Sequence, residues 1–409
     1  MATKDVNNPM PKSVDKLFNW VINNQYLGWD IYDGLNSPLL RDIKNHYLRV
    51  VVLQVNKYCP INMRPFLKIE KGLDLKGMTL FAQAYASLYT TSGDERYLIE
   101  MQNAVEFIKE KSLKEKYGYD CWASHYYPYT GIDRSTLSLE TPDIIGTSQA
   151  IIALIESYKI TKNAVEKEIA SSAIEYLAEE LFIDDTKMPF FKYTGSNENP
   201  AHITLNASAQ AMEAISAFQD LEYHSNLQSI CEKASRTLLQ TQRDDGTWAY
   251  SIYHDGSTKR IQLDFHQGYI IDGLLAYLPY SNDPESILNC IIRASDYYQR
   301  VLFRDDGRSY YRYPLPYPID IHNQAQGIIT FSKLSRLDRR YIDVANKIAL
   351  WTVKNMQDSS GHFYYQKWPL ITNKIPHMRW GQAWMMLALA TLRKNINAGQ
   401  KNVNGGLLW

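Results

Sequence analysis

The chain has 409 residues, 45% of them hydrophobic, which is ample for a large core, so repeat structure and not length must decide between one domain and several. Lys plus Arg and Asp plus Glu number 44 each, a balance that gives no reason to expect nucleic acid or an anionic membrane as partner, although a basic groove on one face stays open. No stretch approaches the roughly 18 apolar residues of a membrane span, and Cys59, Cys121, Cys231 and Cys290 lie far apart with no CxxC spacing, so buried thiols are expected, with no metal, cofactor or disulfide framework.

The N-terminus, MATKDVNNPMPKSVDK, lacks the apolar run of a secretory signal, and a cytoplasmic protein is expected. GWDIYDGLNSP (28–38) follows as a Gly- and Pro-bounded loop whose turn needs only Gly34 and Asn36. Trp29, Asp30 and Asp33 are surplus to that need, and either touch a ligand or pack the loop. LLRDIKNHYLRVVVLQVNKY (39–58) reads as a helix.

From residue 74 the sequence repeats. Apolar segments rich in Ala, Gly and Gln begin at Asp74, Asp143, His202, Asp264, Asp320 and His377, a period of about 60 residues. An amphipathic segment follows each of the first five, at 97–111, 164–181, 226–240, 285–302 and 339–356; in the fourth, Ile287, Leu288, Ile291, Ala294, Tyr298 and Val301 form one apolar stripe. A helix apolar on nearly all sides must be enclosed by other helices, whereas a one-sided helix can face water. The expected fold is therefore an all-α (α/α)6 toroid in a single domain, with six inner and six outer helices. Residues 39–58 are assigned as the sixth outer helix, 39–395 as the barrel, 1–38 as an N-terminal helix plus loop, and 396–409 as a flexible tail. An open superhelix of helix pairs is the alternative.

Between outer and inner segments lie turns with alternating aromatics: QRDDGTWAYSIY (242–253), FRDDGRSYYRY (303–313), QDSSGHFYYQKW (357–368) and, less cleanly, LKEKYGYDCWASHYY (113–127). These predict short β-hairpins at the mouth of the ring. The chain holds 30 Tyr and 9 Trp, many of them in these loops, where rings can stack on a sugar or simply pack over helix ends.

The starts of the six inner helices should converge on one end of the ring. They carry Asp74 and Lys76, Asp143, His202, Asp264 and His266, Asp320 and His322, and His377 and Arg379. An Asp at a helix start is a routine N-cap. Capping does not explain the second member of each pair, since His266 and His322 gain nothing in a first turn, and Lys76 and Arg379 oppose the helix dipole there. Neighbouring inner helices about 8–10 Å apart would hold Asp264 and Asp320 within the roughly 6.5–9.5 Å of inverting glycosidases.

At MRWGQAWMMLALATL (378–392), together with the six repeats, the chain resembles the six-hairpin glycosidase-type toroids, among them the unsaturated glucuronyl hydrolases. The resemblance implies an oligo- or polysaccharide substrate containing an acidic sugar, with an Asp as general acid and another as base. Asp143, Asp264 and Asp320 are available for those roles. On this reading Asp264 and Asp320 are catalytic, His266 and His322 share the proton traffic, and Arg379 with Lys76 orients a carboxylate. Trp29, Trp248, Tyr250 and Trp380 would stack on sugar rings, while Asp30, Asp33, Asp74, Asp143, His202, Gln267, Asn323 and His377 complete the substrate contacts. Related toroids with lyase or epimerase chemistry rely on His, Tyr and Arg, and His266, His322, Asn323 and Arg379 fit that alternative. Gln242-x3-Gly246-x-Trp248 and Gln357-x3-Gly361-x-Phe363 resemble the repeat of terpene cyclases, but the acid motifs of those enzymes are missing. A noncatalytic sugar-binding role and the oligomeric state stay open.

Overall fold

The computed structural model describes residues 9–404 apart from 125–126, 128, 131–135, 138–139 and 196–199. In chain order its helices are α1 (Pro9–Asn23), α2 (His46–Tyr58), α3 (Leu75–Ser92), α4 (Glu95–Glu110), the single-turn α5 (Lys114–Tyr117), α6 (Ile144–Thr161), α7 (Ala164–Tyr176), α8 (Leu205–Gln219), α9 (Ser225–Thr241), α10 (His266–Tyr277), α11 (Pro284–Leu302), α12 (Ile321–Leu334), α13 (Tyr341–Met356) and α14 (Trp384–Asn404).

The two helix classes separate as their sequences dictate. α3, α6, α8, α10, α12 and α14 each pack against the next, and α14 returns to α3, so the inner ring closes. Small residues permit this crowding: a Cβ on Gly273 of α10 would sit 2.2 Å from the Ala209 carbonyl oxygen of α8. The one-sided helices α4, α7, α9, α11 and α13 lie outside their inner partners. In α11 the buried stripe is Ile287, Cys290, Ile291, Ala294, Ser295, Tyr298 and Leu302, with charge on the other side.

Two boundaries differ from expectation. The sixth outer place belongs to α1, which packs against both α13 and α14. The partly apolar pattern of residues 39–58 points to that place, but α2 begins only at His46 and lies over the mouth, leaving Tyr47, Leu48, Val51 and Val55 exposed. The stripe Val14, Leu17, Phe18 and Val21 of α1 is instead buried. At the other end, α14 continues through Asn404, past the expected tail boundary at 396; residues 405–409 lie outside the described residues.

The aromatic turns form short antiparallel pieces at one end of the ring. Strand 251–252 pairs with both 203–204 and 258–260, and strand 366–367 pairs with both 319–320 and 372–373. In units four, five and six an amide near the start of the inner segment holds the preceding turn by its main chain, where units two and three use the Thr147 and Ser208 hydroxyls. The Gln267 side chain accepts from Trp248 N at 2.9 Å and donates to Trp248 O at 3.0 Å, and Gln382 does the same to Phe363 at 2.7 and 2.9 Å. Gln324 accepts from Ser309 N at 2.7 Å and donates to Gly307 O at 3.1 Å.

Candidate active site

The Asp264–His266 pair is built by the first turn of α10. Asp264 Oδ1 accepts the His266 main-chain N–H at 3.1 Å and lies 2.6 Å from His266 Nδ1. An ionised carboxylate can only accept, so Nδ1 carries a proton, and in the neutral form of the ring Nε2 is the nitrogen with the lone pair. Asp264 Oδ2 takes Gln262 Nε2 at 2.7 Å and sits 3.4 Å from Arg312 Nε. Burial would push this carboxyl up, but His266 and Arg312 outweigh it and hold it below the usual carboxylate range. The His266 side chain keeps 15% of its surface exposed, between Phe265 (ring centroids 4.1 Å apart) and the edge of Tyr250 at 4.9 Å.

The second pair is assembled differently. Asp320 Oδ1 accepts the His322 N–H at 2.9 Å and the Trp380 indole N–H at 3.0 Å, while Oδ2 accepts from Gln366 Nε2 at 2.7 Å. The His322 ring does not touch Asp320. Its Nε2 is 2.6 Å from the Tyr269 hydroxyl, and its ring lies among Phe265, Trp380 and Trp384 at 4.3, 4.3 and 4.7 Å. Burial, with Lys76 and Arg379 nearby, drives its pKa well below the usual imidazole range, so His322 is neutral. Burial likewise raises Asp320.

Deeper in the ring the start of α3 meets the π-helical turn Met378–Ala383 and the 28–38 loop. Arg379 donates to Asp30 through Nε at 3.0 Å and Nη2 at 2.7 Å, and Nη2 also donates to the Tyr127 hydroxyl at 2.9 Å. Asp74 Oδ1 caps Gly77 N at 3.0 Å, and its Oδ2 is 3.5 Å from Arg379 Nε. Burial, opposed by Arg379 and reinforced by Asp30, brings Asp74 up to about 7. Lys76, 7% exposed, stands over the Trp384 ring at 5.2 Å, and burial together with Arg379 brings it down to about 7.

Residues from the 28–38 loop, from Tyr127 and from the starts of units one, four, five and six therefore meet at one end of the ring. Several expected members do not join them as ligand contacts. Trp248 is fully buried with its indole on Leu238 O at 2.8 Å, so it is core, and Gln267 is spent on its main chain. Asn323 is used by Tyr310 O, Tyr311 O and Phe265 N. Both Asp143 oxygens are saturated by Ile145 N, Gly146 N and Ser124, which makes it a cap. Unit three starts at Leu205, leaving His202 upstream on the rim, 2.7 Å from Lys259 Nζ. Asp33 is buried against Arg64 at 2.9 Å and Asn56 at 2.8 Å. Trp29 gives its indole N–H to Ile69 O at 3.0 Å. His377 is buried edge-on to Tyr365 ahead of the π-helical turn. Arg379 is already neutralised by Asp30, which displaces it from the role of substrate anchor. Trp380 and Tyr250 stay half-buried beside the histidines.

The residues that sequence reasoning missed are Tyr32, Lys57, Tyr58, Arg64, Tyr127, Tyr269, Tyr311 and Arg312. Tyr269 is recoverable as the position one turn after Phe265 in DFHQGY. Tyr127, Tyr311 and Arg312 lie in the aromatic turns, whose pattern singles out no one member, and Tyr32, Lys57, Tyr58 and Arg64 lie ahead of the repeat and carry no periodic signal. Among the described residues, no three His, Cys, Asp or Glu side chains group to hold a metal ion, and no helix is long and apolar enough to cross a membrane.

No protein-family model matches the chain, and no curated protein sequence does. Solved structures do. A cellobiose 2-epimerase from Bacillus thermoamylovorans superposes with a TM-score of 0.67 at 14% identity, covering 95% of this chain and 100% of that one. A GH76 alpha-mannanase from Bacteroides thetaiotaomicron gives 0.70 at 10% identity, covering 97% and 98%. An unsaturated glucuronyl hydrolase from Bacillus sp. GL1 gives 0.63 at 13% identity, covering 93% and 94%. At such identities the likeness is one of fold: the chain is an (α/α)6 toroid.

Proposed function

We propose that this chain is a carbohydrate-active enzyme that binds a saccharide at the mouth of the toroid and moves a proton at a sugar carbon, as an epimerase or isomerase does. The observation that carries this reading is the Asp264–His266 pair, 2.6 Å apart, with the imidazole oriented so that Nε2 is the basic nitrogen. A two-carboxylate hydrolysis through Asp264 and Asp320 is less well supported, because donors already engage both oxygens of each. Both chemistries occur on this fold, among the epimerase and the hydrolases it resembles.

In this reading the open-chain sugar lies against Trp380. His266 Nε2 takes the proton from the carbon next to the carbonyl, and Asp264 stabilises the imidazolium that forms. The electron pair left on carbon moves onto the carbonyl oxygen, which Lys76 in its protonated form can stabilise. If the enediolate turns its other face to His266 before the proton returns to the same carbon, the epimer results; return to the neighbouring carbon, with the hydroxyl proton passing from one oxygen to the other, gives the aldose–ketose isomer.

Incubation with aldoses and uronates in deuterium oxide tests this. Deuterium should enter the sugar carbon without cleavage, and His266→Asn should lower its rate by about 10²–10⁴-fold. A new reducing end with no exchange into carbon would sink the proposal. A hydrolytic second reading has one observation in its favour, the Asp74 carboxyl brought up to about 7 and so able to give a proton near neutrality. On that reading Asp74→Asn abolishes cleavage and His266→Asn does not.

A further inference from the structure

We infer that the mouth contains a dedicated oxyanion subsite centred on Lys57, which takes the carboxylate or phosphate of an acidic sugar. This rests on the reading that the mouth binds a saccharide, but not on which reaction follows. Lys57 belongs to α2, outside both helix rings, and is the one residue of that helix that projects a cation into the mouth. Only 6% of it is exposed, and its Nζ donates to the Tyr32 hydroxyl at 3.0 Å while standing 4.8 Å from the Tyr32 ring and 5.3 Å from the Tyr58 ring.

The buried arginines have carboxylates beside them, Arg64 with Asp33 at 2.9 Å and Arg379 with Asp30 at 2.7 Å, and so does the half-buried Lys333, with Glu213 at 2.5 Å and Asp272 at 3.0 Å, whereas among the described residues Lys57 shares with Lys76 the lack of an ion-paired carboxylate. Asp320 and Asp264 act on Lys57 only through space, and their oxygens are already committed to Gln366, Trp380, Gln262 and His266. A buried ammonium without a counter-ion is costly. Burial accordingly pushes the Lys57 pKa down, a pressure that an arriving anion would relieve.

The surroundings suit an oxyanion of a sugar. Tyr58 and Tyr311 hydroxyls face each other at 2.9 Å and can turn to donate. Arg312, over the Tyr311 ring at 5.4 Å, adds a second, half-exposed cation. The Tyr32 ring contacts the Trp380 ring edge-on at 6.4 Å, so a sugar on Trp380 has its substituents next to Lys57. This also accounts for α2, whose outward face does no core packing while Asn56 and Lys57 are buried inward.

Calorimetric titration of the full chain at low salt with glucose, glucuronate and glucose 1-phosphate is the test. Glucuronate or glucose 1-phosphate should bind about tenfold or more tightly than glucose, one charge-assisted contact's worth. Lys57→Met should remove that preference, Lys57→Arg should keep it, and His266→Asn should keep it too. Preference for the uronate identifies a carboxylate as the natural group, and preference for the ester a phosphate. Equal affinity for neutral and anionic sugars, no binding of either anion by the wild type, or a preference that survives Lys57→Met overturns the subsite. Loss of the preference in Lys57→Met alongside unchanged turnover in His266→Asn would leave the subsite standing and bring down the proton-transfer reading instead.

Discussion

Asp74 and Lys76 stand two residues apart at the start of α3, and both are brought to about 7 by burial, from opposite directions. For Asp74 the folded-state pKa lies above the unfolded one, near 3.9. Its protonated form is favoured by folding, so its contribution to stability is complete below about pH 4 and is lost as pH rises through about 7. Asp74→Asn keeps an acceptor for the Gly77 N–H and removes the titration. The melting temperature of the variant should fall less than that of the wild type between about pH 5 and pH 8; parallel profiles in differential scanning calorimetry would contradict the assignment. The pairing of a cap with a second functional residue is what made these starts legible from sequence, since capping accounts for an Asp and leaves His266, Lys76 or Arg379 unexplained. What they bond to was not legible. Arg379 and Asp30 are 349 positions apart, and nothing local in MRWGQAW says that the guanidinium is already spent on GWDIYDG. His322 repeats the spacing of His266, yet its ring turns to Tyr269 while that of His266 turns to its own Asp, because Trp380 and Gln366 occupy Asp320 first.

At the scale of the elements, the amides that stand near the aspartates, first suggestive of chemistry, hold the architecture. Gln267, Gln324 and Gln382 each bracket the main chain of the preceding turn, and so place the strand and the helix start relative to one another. Gln324 is fully buried and also donates to Thr352 Oγ1 at 2.8 Å. Gln324→Leu conserves the volume but strands the Ser309 N–H and the Gly307 carbonyl without water to replace the lost partner. The expected destabilisation is about 2–4 kcal/mol in urea unfolding, one buried polar group or two left unmet; a loss no greater than that of an exposed surface substitution would show that the bracket is incidental. The Gln-x3-Gly-x-aromatic stretches have the same kind of explanation. Gln242 Nε2 donates to Gly246 O in its own turn and to Cys290 O of α11, and Gln357 Nε2 donates to Gly361 O and to Ser13 O of α1. The motif couples a turn to the next outer helix, a role that pattern alone does not distinguish from the terpene cyclase repeat. Periodicity identified the helices themselves, because inner and outer surfaces impose different apolar patterns. The irregular segments that finish the site, around Tyr32, Arg64 and Tyr127, leave no such trace.

For the molecule as a whole the question is what seals the ring, and the turn glycines answer it. A Cβ on Gly246 would meet the Arg293 carbonyl oxygen of α11 at 2.6 Å, one on Gly307 the Lys347 oxygen of α13 at 2.9 Å, and one on Gly361 the Lys16 oxygen of α1 at 2.3 Å, each with φ positive. The relation of turn to succeeding outer helix thus runs on from unit to unit and ends on α1, the first helix of the chain closing the circuit after α13. Residues 39–58 are the natural candidate by order, lying just before the first inner helix, but α2 buries only Val50, Leu53, Asn56 and Lys57 and leaves Tyr47, Leu48, Val51 and Val55 exposed. The two assignments differ in where stability resides. Leu17 of α1 is fully buried, and Leu17→Ala should cost about 2–5 kcal/mol, the loss of side-chain burial plus the cavity left behind. Val51 of α2 is 53% exposed, and Val51→Ala should fall within about 0.5 kcal/mol of the wild type. Comparison of the two variants by urea unfolding decides the matter: if Val51→Ala proved the costlier, α2 and not α1 would be the helix on which closure of the toroid depends, and the mouth could not be where α2 lies.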